Sequence, residues 1–303
     1  MTHQHFATRH TIHSHQSHFG WDRSFPPQLT IAPGETVELD INDASGGQLS
    51  AQSKAADVLG LDFDRLNPVT GPIYIDGAEP GDVVKLTMLE FSPSGWGWTA
   101  IIPGFGLLAD RFPEPSLHIW KYGAEAVAEG LGARIPLKPF AGTIGLALAE
   151  PGHHSVVPPR RVGGNMDIRD LAAGSTLYLP VEVAGALLSI GDTHACQGDG
   201  EVCGTAIESP MKAAFKVDLV KNYSIRYPHF ETSGPVTRHL DEKGYYVTTG
   251  IAPDLMNAAR EAVMAAIDWL GKTHQMDASD AYMMCSVCAD LRISEIVDLP
   301  NWV

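Results

Sequence analysis

Across residues 191–208 the chain sets Asp192, His194, Gln197, Asp199, Glu201 and Glu208 among four glycines. Asp192 and His194 are separated by Thr193 alone, so on a strand their side chains share one face. Together they offer a cation one oxygen and one nitrogen, donor types that a catalytic zinc accepts while keeping a position open for water. The competing reading is a structural Asp–His hydrogen bond, which needs no cation. Glu201 and Glu208 follow in the same loop, and a carboxylate in a partly dry pocket can be tuned to carry a proton near neutral pH. Gly200 and Val202 flank Glu201 and suggest a buried approach, whereas Asp199 reads as a solvated carboxylate. The glycines let the backbone turn sharply and come close to a ligand.

Two further clusters mix glycine with polar groups. In Gly163-Gly164-Asn165-Met166-Asp167, Asn165 could donate to a substrate carbonyl and Asp167 could ligate a metal or position a partner; a simple turn explains the cluster nearly as well. Asn42-Asp43-Ala44-Ser45-Gly46-Gly47-Gln48 closes the first alternating run. The histidine-rich start (His3, His5, His10, His13, His15 and His18) reads as weak, non-specific cation binding, with His18 beside Phe19-Gly20-Trp21-Asp22 held in reserve. Cys285-Ser286-Val287-Cys288 has redox or zinc spacing but lies in an apolar helical run, so core packing is the expected role. The chain has no P-loop, no dinucleotide-binding glycine motif between strand and helix, and no Gly-x-Ser-x-Gly elbow. The chemistry expected is an activated water rather than a covalent nucleophile.

Such groups need a rigid frame, and period-two runs supply it. Val37, Leu39 and Ile41 alternate with Glu38 and Asp40; Val84, Leu86 and Met88 with Lys85 and Thr87; Phe215, Val217 and Leu219 with Lys216 and Asp218. That pattern predicts half-buried strands of an antiparallel sandwich. Pro33-Gly34 and Pro80-Gly81 suit type II turns ahead of two runs. Pro180 places its strand at an edge or breaks it there. An apolar run over residues 183–190 leads into the 191–208 loop. Leu255, Ala259, Val263, Ile267 and Leu270 recur at helical spacing, with Asp254 placed to cap and Gly271 to stop; a second helix starts at Asp277 and runs to Ala289. Both helices are expected to pack on the sheet. The predicted fold is mainly β: a jelly-roll-like β-sandwich body over residues 1–210 carrying the site loops, with a mixed α/β C-terminal region, 211–303, packed on it as one compact unit.

Composition narrows the partners. With 303 residues, 44% hydrophobic and a formal charge of −15, the chain is globular and offers no phosphate-binding patch, so nucleic acid is excluded as the main partner. No segment approaches the apolar length of a membrane span, and residues 1–19 lack a signal-peptide core, so the cytoplasm is the expected compartment. Four cysteines make a disulfide framework unexpected. A symmetric homodimer or higher homo-oligomer is expected from the apolar surface that a small β protein leaves uncovered.

Five stretches occur in a fixed order: Asn67-Pro68-Val69-Thr70-Gly71-Pro72-Ile73, Gly77-Ala78-Glu79-Pro80-Gly81-Asp82, Gly142-Thr143-Ile144-Gly145, Gly163-Gly164-Asn165-Met166-Asp167, and 191–208. With this series the chain resembles the acetamidase/formamidase family across most of its length. The resemblance implies hydrolysis of a short linear amide to a carboxylate and ammonia, a β-sandwich, and a bound divalent metal: zinc, with calcium as the other candidate. On that footing Asp192 and His194 ligate the metal, with Asp43 or Asp167 as third ligand. Glu201 carries the proton, and Asn165 and Gln197 orient the amide. Two rivals are a hydrolase of a larger amide, lactam or carbamate on the same scaffold, for which Gly95-Trp96-Gly97-Trp98 could wall a pocket, and a non-enzymatic small-ligand module.

Overall fold

The computed structural model describes residues 9–128, 133–232 and 246–293. One sheet runs in the order β1 (Arg9–Ile12), β4 (Thr36–Ile41), β15 (Met211–Val220), β6 (Val83–Pro93), β13 (Ser175–Pro180) and β16 (His229–Thr232). The second runs β12 (Gly163–Asn165), β11 (Phe140–Gly145), β14 (Leu188–His194), β5 (Val69–Ile75) and β2 (Ser17–His18), with β3 (Leu29–Ile31) also pairing with β5. Their facing side chains form one core. Val37, Leu39, Val84, Leu86, Met88, Phe215 and Val217 of the first sheet meet Ile73, Ile75, Ile144, Leu188 and Ile190 of the second. The alternation in the sequence is thus the alternation of core and outer positions. Full burial contributes roughly 1.5–3 kcal/mol per large apolar side chain, enough to hold both sheets as a rigid frame.

β13 ends at Pro180, which has no N–H for the ladder; the strand is stopped there but does not lie at an edge, since it pairs with both β6 and β16. The apolar run over 183–190 is not all strand: Ala186 and Leu187 take left-handed backbone angles (φ 59° and 56°), so β14 begins only at Leu188. β15 lies in the middle of the first sheet, paired with β4 on one side and β6 on the other.

Two hairpins lie beside the sandwich: β7 (Trp96–Ile101) with β8 (Ser116–Lys121), and β9 (Glu125–Ala128) with β10 (Ala133–Pro136). The helices are α1 (Leu255–His274) and α2 (Ala278–Cys288). Asp254 caps the first, its carboxylate accepting from the Asn257 N–H, and Asp277 caps the second through the Ser279 N–H. Gly271 does not end α1, which continues to His274 and is closed by Gln275 in a left-handed conformation (φ 55°). A glycine inside a helix costs only about 1 kcal/mol, so packing of the last turn outweighs it. The helices do not cover a face of the sandwich. Tyr282, Cys285 and Ala281 of α2 pack with Val263 and Ile267 of α1 against Ile101, Leu108, Val202 and Cys203, and Met284 and Val287 against Cys196 and Ile207. Residues 196–207 are therefore seated on α2. No helix among the described residues is long and apolar enough to cross a membrane.

Candidate active site

β14 runs through the core at Ile190 and keeps its register with β11 as far as His194, although Asp192 has φ 54°. Beyond His194 the chain closes on itself: Ala195 N–H donates to Ile207 O at 2.9 Å and Ile207 N–H to Cys196 O at 2.9 Å. That return brings Glu208 beside His194, where it also pairs with Trp98 of β7. On the other flank β12 lies against β11, Thr143 opposite Asn165, and the N–H groups of Met166 and Asp167 both donate to Gly142 O. Asn67, just ahead of β5, completes the ring. Asn67, Asp167, Asp192 and Glu201 all have positive φ (50°, 49°, 54° and 42°). Left-handed backbone at a non-glycine residue costs of order 1–3 kcal/mol, and four such residues here mark a site that the surrounding structure holds in place.

His194 is the hub. Its Nε2 lies 3.1 Å from Asp192 Oδ1, 3.2 Å from Glu208 Oε2 and 3.9 Å from Glu201 Oε1. Its Nδ1 faces Gln197 Oε1 at 2.8 Å, while Gln197 Nε2 donates to the backbone oxygen of Asp167 at 2.9 Å. A carbonyl oxygen only accepts, so Gln197 fixes the hydrogen on Nδ1 and turns Nε2 toward the carboxylates as the ligating nitrogen. Asn67 Nδ2 donates to Asp192 Oδ2 (3.0 Å), Thr143 Oγ1 (3.1 Å) and Asn165 Oδ1 (3.2 Å), and Thr143 Oγ1 donates to Asn165 Oδ1 at 2.6 Å. Phe140 closes the back of the imidazole, ring centres 5.1 Å apart and edge to face.

Burial and like charge dominate the electrostatics. Burial, then the charge on Asp192, pushes Asp167 up to about 7. Burial also pushes Glu208 up to about 7. Glu201 is driven well above the ordinary range by burial and by Asp167. Burial opposes ionisation of Asp192 too, but the charge and hydrogen bond of His194 hold its carboxyl below the usual value. Burial alone would lower His194, yet Glu208 and Asp192 hold it well above. Four carboxyl groups around one imidazole are a donor set compatible with a bound cation.

The donor set fits a divalent metal. Asp192, His194 and Glu208 form one group, and Asp167, His194 and Glu201 an overlapping one, with ligand atoms in each within 4.8 Å of one another. Asp167 Oδ1 and Glu208 Oε2 are buried oxygens that meet no hydrogen-bond donor among the described residues. Oxygen donors with one imidazole suit several divalent ions, zinc among them.

Of the residues singled out in the sequence, Asp167, Asp192, His194 and Glu201 converge, with Gln197 bonded to His194 and Asn165 in the Asn67–Thr143 network. Asp43 stands outside both groups: its Oδ1 accepts from the Trp98 indole at 2.9 Å and from Ser45. Trp98 is buried beside Leu49 and Val58. His18 bonds through Nδ1 to Gly20 O and through Nε2 to Ser189, both at 2.9 Å, and burial lowers it to about 4, so it is a neutral packing residue. His3 and His5 lie outside the described residues; His10 pairs with Glu35 and His13 with Asp40, remote from His194 in contact. Cys196, Cys203 and Cys285 are buried and free, and burial pushes the Cys196 thiol up to about 11, unsuited to a nucleophile. Asn67, Thr143 and the ligand position of Glu208 were not picked out from spacing. The motif stretches that hold Asn67 and Thr143 were the only signal for them, and for Glu208 there was none beyond its loop.

Gly142 gives a direct probe of this packing. A Cβ there would overlap Asp167 Oδ1 and come within 3.0 Å of His194 Cε1 and 3.2 Å of Asp192 O. Gly142→Ala is expected to displace Asp167 and cut turnover by about 10²-fold, the scale of a one-ångström misplacement. Steady-state kinetics on the purified variant checks this, and a variant within threefold of the parent would remove Asp167 from the reaction.

The family model described as Acetamidase/Formamidase family matches residues 5–151 and 146–303. A formamidase of Methylophilus methylotrophus is 30% identical, over 94% of this chain and 86% of that protein. Among solved structures, a gamma lactamase from Delftia acidovorans superposes with a TM-score of 0.88 at 28% identity, covering 95% of this chain and 86% of that one. An acetamidase from Yersinia enterocolitica gives 0.70 at 34% identity, covering 99% and 91%.

Proposed function

This chain belongs to the acetamidase/formamidase family, and from that premise we propose how its carboxylate–histidine cluster hydrolyses a short linear amide to a carboxylate and ammonia. The observation that carries the reading is the division of labour around His194. Asp192 and Glu208 are 7% and 3% exposed, with oxygens against Nε2, whereas Glu201 is 16% exposed and stands farther off at 3.9 Å. Asp192, His194 and Glu208 would hold the metal, with Asp167 the further candidate; zinc is the first choice and calcium the second. When bound, a divalent ion supplies a Lewis acid for the amide carbonyl and acidifies water at the site.

Glu201 removes a proton from the attacking water as the water oxygen bonds to the carbonyl carbon. The C–N bond then breaks with its electron pair on nitrogen, and Glu201 returns the proton to that nitrogen, releasing ammonia. A carboxyl raised by burial and by Asp167 is matched to both halves of that transfer. Asn165, whose Oδ1 accepts from Thr143 and Asn67, would direct its N–H donors to the substrate carbonyl. Gln197 orients His194 rather than the amide. The sandwich body and the C-terminal region act as one unit, since α2 seats the 196–207 loop. Exposed Leu59, Phe63 and Met256 support assembly as a homo-oligomer.

Ammonia release from formamide, acetamide and propionamide tests the reading, using protein as purified and after chelation with zinc or calcium returned. Chelation is expected to lower turnover at least about 10²-fold and one of the ions to restore it. Turnover indifferent to chelation would take the metal out of the reaction. A second reading, lactam hydrolysis, is favoured by the closer superposition on the gamma lactamase (0.88) than on the acetamidase (0.70) despite lower identity. A five-membered lactam would yield a ring-opened amino acid without ammonia, so product analysis separates the two.

A further inference from the structure

Outside the cluster, one largely buried cation touches both the segment that carries Glu201 and the segment that carries Asp167. Arg169, two residues after Asp167, has a side chain only 11% exposed. Its guanidinium makes a two-pronged contact with Asp290, just beyond α2, through Nη1–Oδ1 and through Nη2–Oδ2 at 3.0 Å. Its Nε lies 3.0 Å from Oδ1 of Asp199, two residues before Glu201. The backbone follows the same seam: Leu291 N–H donates to Asp199 O at 3.1 Å, and Gly198 N–H to Ser286 O at 2.8 Å. Gly198 presses so closely on α2 that a Cβ there would overlap Ala289 O. The 197–204 loop is thus held against α2 by backbone contacts and against the Asp167 segment by Gln197 and Arg169.

We propose that Arg169 is a positioning residue for the hydrolysis: anchored by Asp290, it clasps Asp199 and so keeps Glu201 in register with Asp167 and His194. The inference rests on the reading of Glu201 as proton carrier. Charge explains why a buried arginine stands here. Asp170, Asp199 and Asp290 all act on Arg169. Burial raises Asp199, Arg169 lowers it, and Asp290 and Asp170 raise it again. Without the guanidinium, Asp199 and Asp290 repel across the seam and the loop moves away from Asp167. A planar fork can grip Asp290 with two nitrogens and hold its charge against Asp199 through Nε, an ion pair without a hydrogen bond, an arrangement that a lysine ammonium cannot reproduce although it restores the charge.

The test is steady-state amide hydrolysis by Arg169→Gln, Arg169→Lys and Asp199→Asn, with Glu201→Gln run alongside. Arg169→Gln is expected to lower kcat by about 10²-fold with KM within about threefold, because substrate still binds but the proton carrier is misplaced. Arg169→Lys should recover part of that loss. Asp199→Asn, which leaves the Arg169–Asp290 pair intact, should show the same kcat-only defect to a smaller degree and serves if the glutamine variant does not fold. Arg169→Gln and Asp199→Asn both within threefold of the parent, or a loss carried by KM, would overturn the clasp. A Glu201→Gln protein that keeps its turnover would instead overturn the reading beneath it, whatever the arginine variants do.

Discussion

Glu201→Gln is expected to fold, keep its metal and lose amide turnover by about 10²–10⁴-fold, the contribution of a positioned general acid–base group. The substitution preserves shape and removes only the ability to accept and return a proton. Metal content is the informative companion measurement, because the two possible ligand groups share His194 and differ in their carboxylates. If Asp192, His194 and Glu208 hold the ion, Glu201→Gln keeps it and Glu208→Gln loses it; the opposite pattern would exchange the roles of the two glutamates. Stability gives an independent sign. A carboxyl whose folded pKa is raised above its unfolded value costs stability as pH rises past that unfolded value, about 4.3 for glutamate. Removing that charge from the metal-free protein should therefore leave the melting temperature at pH 7 unchanged or higher. A variant that is less stable and still active would place Glu201 in the framework.

His194→Ala is expected to be the most damaging single change. It deletes the proposed nitrogen ligand, abolishes the contact with Phe140 and strands Asp192 and Glu208 without a counter-charge. Breaking a buried charge pair by removing one partner costs on the order of 3–5 kcal/mol, so the metal-free variant should melt markedly lower. Bound metal, measured against protein after dialysis, should fall to background and turnover with it. Gln197→Ala supplies the graded version: the imidazole remains, but nothing fixes its hydrogen on Nδ1, and metal affinity should drop by about 10–100-fold. An unchanged metal-to-protein ratio in His194→Ala would refute the ligand assignment outright.

The two experiments separate what is local in this site from what is not. Asp192 and His194 could be paired from spacing alone, since adjacent same-face positions at a strand end must meet, and they do at 3.1 Å. Glu201 could be chosen because its glycine-flanked setting belongs to the same loop. Glu208 could not be assigned a ligand position, because it reaches His194 only through the antiparallel return between Ala195 and Ile207. Asn67 could not either: its bond to Asp192 links β5 to β14, and positive φ aims it there. Asp43 looked equivalent to Asp167 as an acidic residue in a glycine turn. What separates them is the Trp98 indole, which takes up one, and Gly142, which leaves room for the other.

The sequence by itself determined the frame and the chemical vocabulary. Period-two alternation placed the core residues of β4, β6 and β15, capping aspartates placed both helix starts, and the motif series implied the family to which the chain belongs. Only the tertiary structure decided which carboxylates share the histidine and that α2 seats the 196–207 loop rather than covering the sandwich. The physical reason is that periodicity records which side of an element is buried, a property of neighbours along the chain. Which distant groups meet there is set by strand register, by left-handed backbone at Asn67, Asp167, Asp192 and Glu201, and by charges such as Arg169 that hold the loops together.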